Sequence, residues 1–226
     1  MRRICLNGLP FDFVQIEDPD RVLDQVADEE DRLEKLNGRR TDGDYLHLPY
    51  WAELWDSASG IGLHLINRMA GSSDRPPSRP GSVLDLGCGM GLAGSVAARL
   101  GMNVLFADLE PPALLFARLN SLPDAPRVRT RRLNWQIDRL DETFDLILGA
   151  DILYERKQWD FLEPFWRMHL APGGMVLLAE PGRQTGDLFI DWIAERGWKL
   201  DRHEQAVTPR PQPIRLFELQ IQKPTR

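Results

Sequence analysis

The sequence predicts an α/β fold in which helices cover both faces of a mostly parallel sheet. From Ser82 onward, strand-like and helix-like segments alternate, as is typical of such a sheet. The stretch SVLDLGCGMGLAG at 82–94 passes from an apolar run into closely spaced glycines, which favours a ligand site at the carboxyl end of a buried strand. The 226 residues, 42% of them hydrophobic, are enough for one core. We therefore expect one domain over 1–226.

Residues 1–70 are expected to form an N-terminal cap with two helices. FDFVQI at 11–16 is compatible with one short strand. A helix is predicted over 18–37, because Asp and Pro open it and Asn-Gly follows its apolar periodicity. A second helix is predicted over 57–69 from a single apolar stripe. The Pro-, Ser- and Gly-rich residues 71–81 predict a surface loop.

The core is expected to span 82–226, beginning with a strand at 82–86. A weaker strand at 127–135 is rich in charge, which favours an edge position. APGG at 171–174 predicts a turn. The other predicted strands are 104–108, 144–154, 175–180 and a C-terminal pair at 198–207 and 217–221, and the predicted helices are 92–100, 111–120, 161–168 and 187–196.

Composition limits the partners and the compartment. The net charge of -6 argues against a protein that wraps nucleic acid. Cys5 and Cys88 are far apart, so no disulfide framework is expected and a reducing compartment is favoured. His47 and His64 have no partners at metal-ligand spacing, so no metal is expected. The sequence shows neither a membrane-length apolar run nor the apolar region of a signal peptide, which predicts a cytoplasmic protein with no membrane partner.

The glycine loop allows two kinds of nucleotide ligand. Gly89, Gly91 and Gly94 satisfy G-x-G-x-x-G, and Asp108 follows Gly89 by 19 residues, as in dinucleotide sites. However, Asp85 precedes the loop, and its carboxylate would repel a pyrophosphate. A cationic ligand without phosphate suits that carboxylate better. S-adenosyl-L-methionine, with its ammonium and sulfonium, fits this description.

Three motifs resemble the class I S-adenosylmethionine-dependent methyltransferases. VLDLGCGMG at 83–91 is similar to their first motif, AD at 107–108 to their second, and LAPGG at 170–174 to their turn before the fifth strand. The resemblance implies a Rossmann-like, seven-stranded sheet with an antiparallel C-terminal strand. It covers residues 49 to about 183.

Further motifs resemble a narrower group. PYWAELW at 49–55, LNW at 133–135 and LGADILY at 148–154 are similar to the seven-strand protein-lysine methyltransferases that carry a D-x-x-Y motif. EPGR at 180–183 is similar to the branch that contains the electron-transfer flavoprotein β-subunit lysine methyltransferase and nicotinamide N-methylase-like proteins. The resemblance thus implies methyl transfer to an amino nitrogen.

This resemblance also implies a set of cofactor-binding residues. Asp108 is expected to bind the ribose hydroxyls and Trp135 to pack against adenine, with a helix cap and simple core packing as the respective alternatives. Relatives commonly have Asp where this chain has Asn134, whose amide oxygen is still an acceptor. The candidates are Trp55, Asp85, Gly87, Cys88, Gly89, Gly91, Asp108, Leu109, Asn134, Trp135 and Ala150.

Asp151 and Tyr154 are the expected catalytic residues. A lysine nucleophile must be neutral to attack, so Asp151 is expected to hold and orient the incoming group, and Tyr154 to fix a lone pair or assist proton removal. The alternative for Asp151 is a cap or a bond to buried backbone. Trp51, Glu180 and Arg183 are expected to contact the acceptor. For Glu180 and Arg183 the alternative is a surface ion pair.

The expected function is S-adenosylmethionine-dependent N-methylation of lysine side chains in a protein substrate, by a monomer. One alternative is a small-molecule N-methyltransferase with a nicotinamide-like or amine acceptor. A nicotinamide-dependent oxidoreductase or nucleotide-binding module is a second, although no Tyr-x-x-x-Lys motif supports hydride transfer. A non-catalytic scaffold is a third. Nucleic-acid methylation is disfavoured because the chain is acidic and lacks an N/D-P-P-Y/F motif.

Overall fold

The computed structural model describes residues 1–37, 48–71 and 81–222. The predicted loop at 71–81 therefore lies almost wholly outside the described residues. His47 also lies outside them. The strands are β1 Arg2–Leu6, β2 Leu9–Phe13, β3 Ser82–Leu86, β4 Asn103–Asp108, β5 Val128–Arg132, β6 Phe144–Ala150, β7 Leu170–Glu180, β8 Trp198–Gln205 and β9 Ile214–Ile221. The helices are α1 Pro19–Asn37, α2 Asp56–Gly71, α3 Leu92–Arg99, α4 Pro111–Asn120, α5 Trp159–His169 and α6 Gln184–Ala194.

The main sheet has seven strands in the order β5-β4-β3-β6-β7-β9-β8. The first five of these run parallel, and β9 is antiparallel to both β7 and β8. The charged strand β5 lies at an edge, as its composition predicts. Strand β3 pairs with β4 on one side and with β6 on the other. Successive strands are therefore added on one side of β3 up to β5, and on its other side from β6 onward. The carboxyl ends of β3, β4 and β6 consequently meet at the switch point where ligands bind in such sheets.

The apolar core lies on both faces of this sheet. Neighbouring residues of β3 alternate between the two faces, with Val83 packed in the cluster that contains α2 and α3, and Leu84 in the cluster that contains α5 and α6. Phe11 and Phe13 of β2 belong to the first cluster. The N-terminal hairpin therefore shares its apolar core with the main sheet. No helix in the described part of the chain is long and apolar enough to cross a bilayer.

The N-terminal segment differs from its prediction. It contains two paired strands, β1 and β2, where the sequence was interpreted as one. Asn7 and Gly8 connect them with φ angles of 46° and 84°, the left-handed values that a two-residue hairpin turn requires. This Asn-Gly pair is the local signal that the single-strand interpretation overlooked.

Two core strands also differ from their predicted limits. The residues APGG at 171–174 do not form the predicted turn before β7 but lie inside this strand. The pairing of β7 with β6 shifts register here, between Phe144 and Leu146 of β6. Gly173 accommodates the irregularity with a φ of 80°. Strand β6 ends at Ala150 and not at 154, because Asp151 has a φ of 55° and leaves the strand. The D-x-x-Y motif is therefore a loop.

Candidate active site

The loop from β3 to α3 has a shape that glycine alone provides. Gly87, Gly89 and Gly91 have φ angles of 63°, 52° and 81°. A Cβ on Gly91 would lie 2.6 Å from the Cβ of Ala117 and 2.7 Å from its Cα. The Gly87 amide donates to the carbonyl of Ala107 at 2.8 Å, which ties the loop to β4. The loop is thus a narrow backbone cradle at the switch point.

Asp85 lies beneath this cradle and is 1% exposed. Its Oδ2 accepts a hydrogen bond from the Gly94 amide at 2.8 Å. Burial raises the pKa of Asp85 to about 7, although the bond from Gly94 opposes that rise. The carboxyl group therefore faces the start of α3, and its expected contact with a cofactor stays a prediction.

Asp108, the last residue of β4, lies beside the cradle. Its Oδ2 accepts from the Gly89 amide at 2.8 Å, and its Oδ1 accepts from the Glu110 amide at 3.0 Å. Burial raises the pKa of Asp108, and these two bonds oppose the rise. Each carboxylate oxygen has a second lone pair, so two ligand hydroxyls remain acceptable. Asp108 thus stabilises the turn before α4, whose N-cap residue is Glu110, and its expected contact with the ribose stays a prediction.

Trp135 closes the other side of the cradle. Its ring atom Cζ3 is 3.4 Å from where a Gly87 Cβ would lie, and its Nε1 donates to Gln158 Oε1 at 3.1 Å. This half-buried ring offers a flat surface suited to a purine. The Asn134 Oδ1 accepts from the Gln136 amide at 3.0 Å, so this oxygen stabilises the turn before the Trp.

Three other cofactor candidates border the same region. Cys88 is half-buried, and burial raises the pKa of its thiol, so the group is neutral at physiological pH. The carbonyl of Leu109 accepts from Arg132 Nε at 3.1 Å. Ala150 ends β6 opposite Ala179 of β7. The structure thus brings the residues that follow β3, β4 and β6 to one edge of the sheet.

Asp151 follows β6 directly and is 7% exposed. Its amide donates to the Ala179 carbonyl at 2.8 Å, which fixes the backbone. Its carboxylate receives two bonds from Arg183, Nε to Oδ1 at 3.1 Å and Nη2 to Oδ2 at 3.0 Å. Such a planar, two-bond pair is strong and directional. The Asp151 side chain therefore binds a guanidinium and not the backbone, unlike the cap considered as its alternative.

A cluster of aromatic rings, Tyr50, Trp55 and Tyr154, lies beside this ion pair. The rings of Tyr50 and Tyr154 meet edge-on with centroids 5.3 Å apart, and Tyr50 is 6.2 Å from Trp55. The Arg183 Cζ lies 5.8 Å from the Trp55 ring centroid. Burial, and secondly the charge of Glu155, raise the pKa of Tyr154 to about 12. Tyr154 is consequently a hydroxyl donor at neutral pH. Tyr50 was absent from the predicted site, although it lies within the PYW motif.

Glu180 anchors the turn that carries Arg183. It is 1% exposed and accepts from the amides of Gly182 and Arg183 at 2.9 and 2.6 Å. Its arginine partner is Arg215 of β9, which also pairs with Asp187. The Glu180 carboxylate is therefore buried, and its pair with Arg215 does not match the surface Glu-Arg pair considered from the sequence. The Glu180 carboxylate faces the turn, and its expected contact with an acceptor stays a prediction.

Trp51 and Trp55, expected at the acceptor and at the cofactor respectively, contact different parts of the site. The Trp51 carbonyl oxygen is 3.7 Å from where a Gly89 Cβ would lie, beside the cofactor loop. The Trp51 ring contacts Phe116 of α4 at 6.0 Å between centroids. The Trp55 ring instead faces Arg183. Trp51 thus borders the glycine loop and Trp55 borders Arg183, and the roles expected for the two side chains stay predictions.

The chemistry of the cradle fits S-adenosylmethionine. Its acidic side chains suit a ligand with positive charge and free hydroxyls, and its glycine backbone permits close approach. A sequence profile of the lysine methyltransferase family matches residues 50–195. The chain belongs to this lysine methyltransferase family. The resemblance found in the motifs and the expected cofactor, S-adenosyl-L-methionine, are thereby confirmed. The family gives no support to the nicotinamide-dependent alternative.

Curated relatives of this chain are named as lysine methyltransferases. The chain is 36% identical over 143 residues to protein N-lysine methyltransferase METTL21A of Xenopus tropicalis, which covers 60% of this chain and 62% of the relative. It is 33% identical over 142 residues to the electron transfer flavoprotein beta subunit lysine methyltransferase of Danio rerio, which covers 60% and 51%. The chain thus spans between half and two thirds of the length of these relatives.

A solved structure confirms the fold. The glycopeptide N-methyltransferase MtfA, in its complex with S-adenosyl-L-methionine, superposes with a TM-score of 0.58 over 72% of this chain and 94% of that chain, at 17% identity. The predicted Rossmann-like, mostly parallel sheet with an antiparallel C-terminal strand is therefore confirmed.

Proposed function

We propose that this protein transfers a methyl group from S-adenosylmethionine to the side-chain amine of a lysine in a protein substrate. The observation that carries the proposal is the meeting of the glycine cradle with the Asp151 and Tyr154 loop, at the ends of the paired strands β3 and β6. The family match and the lysine methyltransferase relatives support the choice of acceptor.

The cofactor half of the site holds and orients the methyl donor. We assign the ribose hydroxyls to Asp108, the adenine to Trp135, and the amino-acid end to the backbone of Gly87, Cys88 and Gly89. When bound, S-adenosylmethionine supplies a sulfonium methyl group, so that a new C–N bond forms on a neutral amine as the C–S bond breaks and a neutral thioether leaves. The protein then has mainly to align the two reactants.

The acceptor half provides an oriented and sheltered position for the amine. We assign Asp151 as the acceptor of a hydrogen bond from the amine, and Tyr154 as a donor or dipole that fixes its direction. The protonated state of Tyr154 at neutral pH makes it unsuitable as the base, so the ammonium loses its proton to water before attack. The rings of Tyr50 and Trp55 lie beside this position.

Wider features of the protein belong to the same proposal. A single domain is supported by the core that the N-terminal hairpin shares with the main sheet. A cytoplasmic location is supported by the two cysteines, which are both free. We also propose that the protein acts as a monomer on a protein acceptor.

A labelling experiment tests the function. The purified chain is incubated with tritiated S-adenosylmethionine and a cell extract depleted of small solutes, with Asp151→Asn as the matched control. We expect label in a protein band with the wild type and not with the variant, and mass spectrometry to place the methyl group on lysine. If label enters only small solutes when these are added back, the protein-lysine assignment is wrong and an amine acceptor replaces it.

A further inference from the structure

Arg183 is paired with the carboxylate of Asp151, the group to which the proposed function assigns the hydrogen bond from the acceptor amine. Its guanidinium bonds to both oxygens of Asp151. The Asp151 side chain is 5% exposed, whereas the Arg183 side chain is 39% exposed. An amine that approaches Asp151 from solvent therefore meets the carboxylate and its guanidinium partner together.

Several contacts hold the guanidinium in this position. The Arg183 amide donates to Glu180 at 2.6 Å, and its carbonyl accepts from Arg215 Nη2 at 2.6 Å. The side chain lies over the Trp55 ring. Because the backbone is fixed on both sides and the side chain is stacked, the pair with Asp151 is part of the built site and not a loose surface contact.

The charged groups around the Asp151–Arg183 pair set the electrostatic environment of an incoming amine. Arg210 lies on the neighbouring loop, where its Nη2 donates to the Pro181 carbonyl at 3.1 Å and its Nη1 lies 3.3 Å from Asp56 Oδ2. The other titratable groups close to the pair or to Tyr154 are Tyr50, Asp108, Tyr154, Glu155, Glu180 and Arg215. Glu180 is itself neutralised by Arg215. Among the described residues, Arg183 is thus the cation in direct contact with Asp151.

We propose that Arg183 is a positioning residue that neutralises Asp151, so that the site favours a neutral amine over an ammonium. This inference rests on the proposed function, since it concerns the amine that Asp151 orients. An unpaired carboxylate would stabilise the ammonium form and so hold the acceptor in the state that cannot attack. A carboxylate compensated by Arg183 still accepts a hydrogen bond from an amine, but it does not favour the extra proton.

A pair of cofactor analogues tests this without a known acceptor. Sinefungin carries a cationic amine in place of the methyl sulfonium, and S-adenosylhomocysteine carries no group there. We expect Arg183→Gln to increase the affinity for sinefungin relative to S-adenosylhomocysteine by about tenfold or more, because the amine then meets an unpaired carboxylate. Arg183→Lys retains the charge and is expected to stay near the wild-type ratio. Arg210→Gln is the matched control that removes a nearby cation without contact to Asp151.

Calorimetry of both analogues gives the ratio, and the affinity for S-adenosylhomocysteine reports whether each variant is folded. An unchanged ratio in Arg183→Gln, or an equal change in Arg210→Gln, overturns the proposal. On an acceptor identified by labelling, Arg183→Gln should also move the acid limb of the kcat profile, which reports on the enzyme–substrate complex, to higher pH. If no protein is ever labelled, the proposed function fails while the analogue ratio still reports on Arg183.

Discussion

The Gly91→Ala variant isolates how tightly the cofactor loop is packed. Gly91 has a φ of 81°, and an added Cβ would lie 2.6 Å from the Cβ of Ala117 on α4. Ala117 is fully buried, and the second close atom is its Cα, so neither neighbour can rotate away. The substitution therefore combines backbone strain with overpacking of the core.

Backbone strain and overpacking each add to the loss of stability. A left-handed conformation costs an alanine about 1–2 kcal/mol, and forcing an extra methyl group into a packed core costs about 1–3 kcal/mol. We expect Gly91→Ala to lower the free energy of unfolding by about 2–5 kcal/mol. Gly101→Ala is the matched control, since Gly101 has a φ of 93° but no atom within 4 Å of its added Cβ. This control should cost only about 1–2 kcal/mol.

Urea denaturation followed by circular dichroism measures both losses, and similar slopes would show that the comparison is valid. Calorimetry with S-adenosylhomocysteine should show weaker binding for folded Gly91→Ala, because α4 and the cradle must separate, and unchanged binding for Gly101→Ala. Equal losses of stability in the two variants would refute the packing argument. Unchanged ligand affinity in Gly91→Ala would refute the role given to the cradle.

Three further predictions concern the acids of the site. Asp108→Ala should weaken S-adenosylmethionine binding by about a hundredfold or more, since two hydrogen bonds to a charged acceptor are lost; calorimetry with unchanged affinity would contradict the site. Asp151→Asn should retain cofactor affinity but lose most methyl transfer to the labelled acceptor, and unaltered turnover would count against its role. For Asp85, the folded pKa of about 7 exceeds the unfolded value of about 3.9, so its contribution to stability is present at low pH and falls as pH rises through about 7. Asp85→Asn should therefore flatten the decline of the urea midpoint between about pH 4 and 7, and parallel profiles would show that Asp85 ionises normally.

The geometry of the glycine cradle was predictable because its residues lie in short stretches of sequence. The run from Asp85 to Gly91 places an acid near the end of one buried strand and three glycines after it, and Asp108 ends the next strand along the chain. The hydrogen bond from the Gly89 amide to Asp108 follows from the parallel pairing of β3 with β4. Local pattern and strand order were sufficient here.

The acceptor half was only partly predictable. Asp151, Tyr154 and Arg183 were all recognised from motifs, but their partners were not. Asp151 and Arg183 are 32 residues apart, and they meet because β6 and β7 are neighbours in register. The missed contact of Tyr50 with Tyr154 likewise spans a distance in sequence that no local pattern encodes.

The sequence by itself determined the α/β class, the alternation of elements, the glycine cradle and the cationic character of its ligand, because periodicity and backbone freedom are local properties. The tertiary structure decided the pairing of charges. In the structure Glu180 pairs with Arg215 and Asp151 pairs with Arg183. The sequence had suggested an ion pair between the Glu and the Arg of the EPGR turn. The physical reason is that a buried carboxylate requires a partner, and which cation reaches it depends on strand order and register and not on distance along the chain.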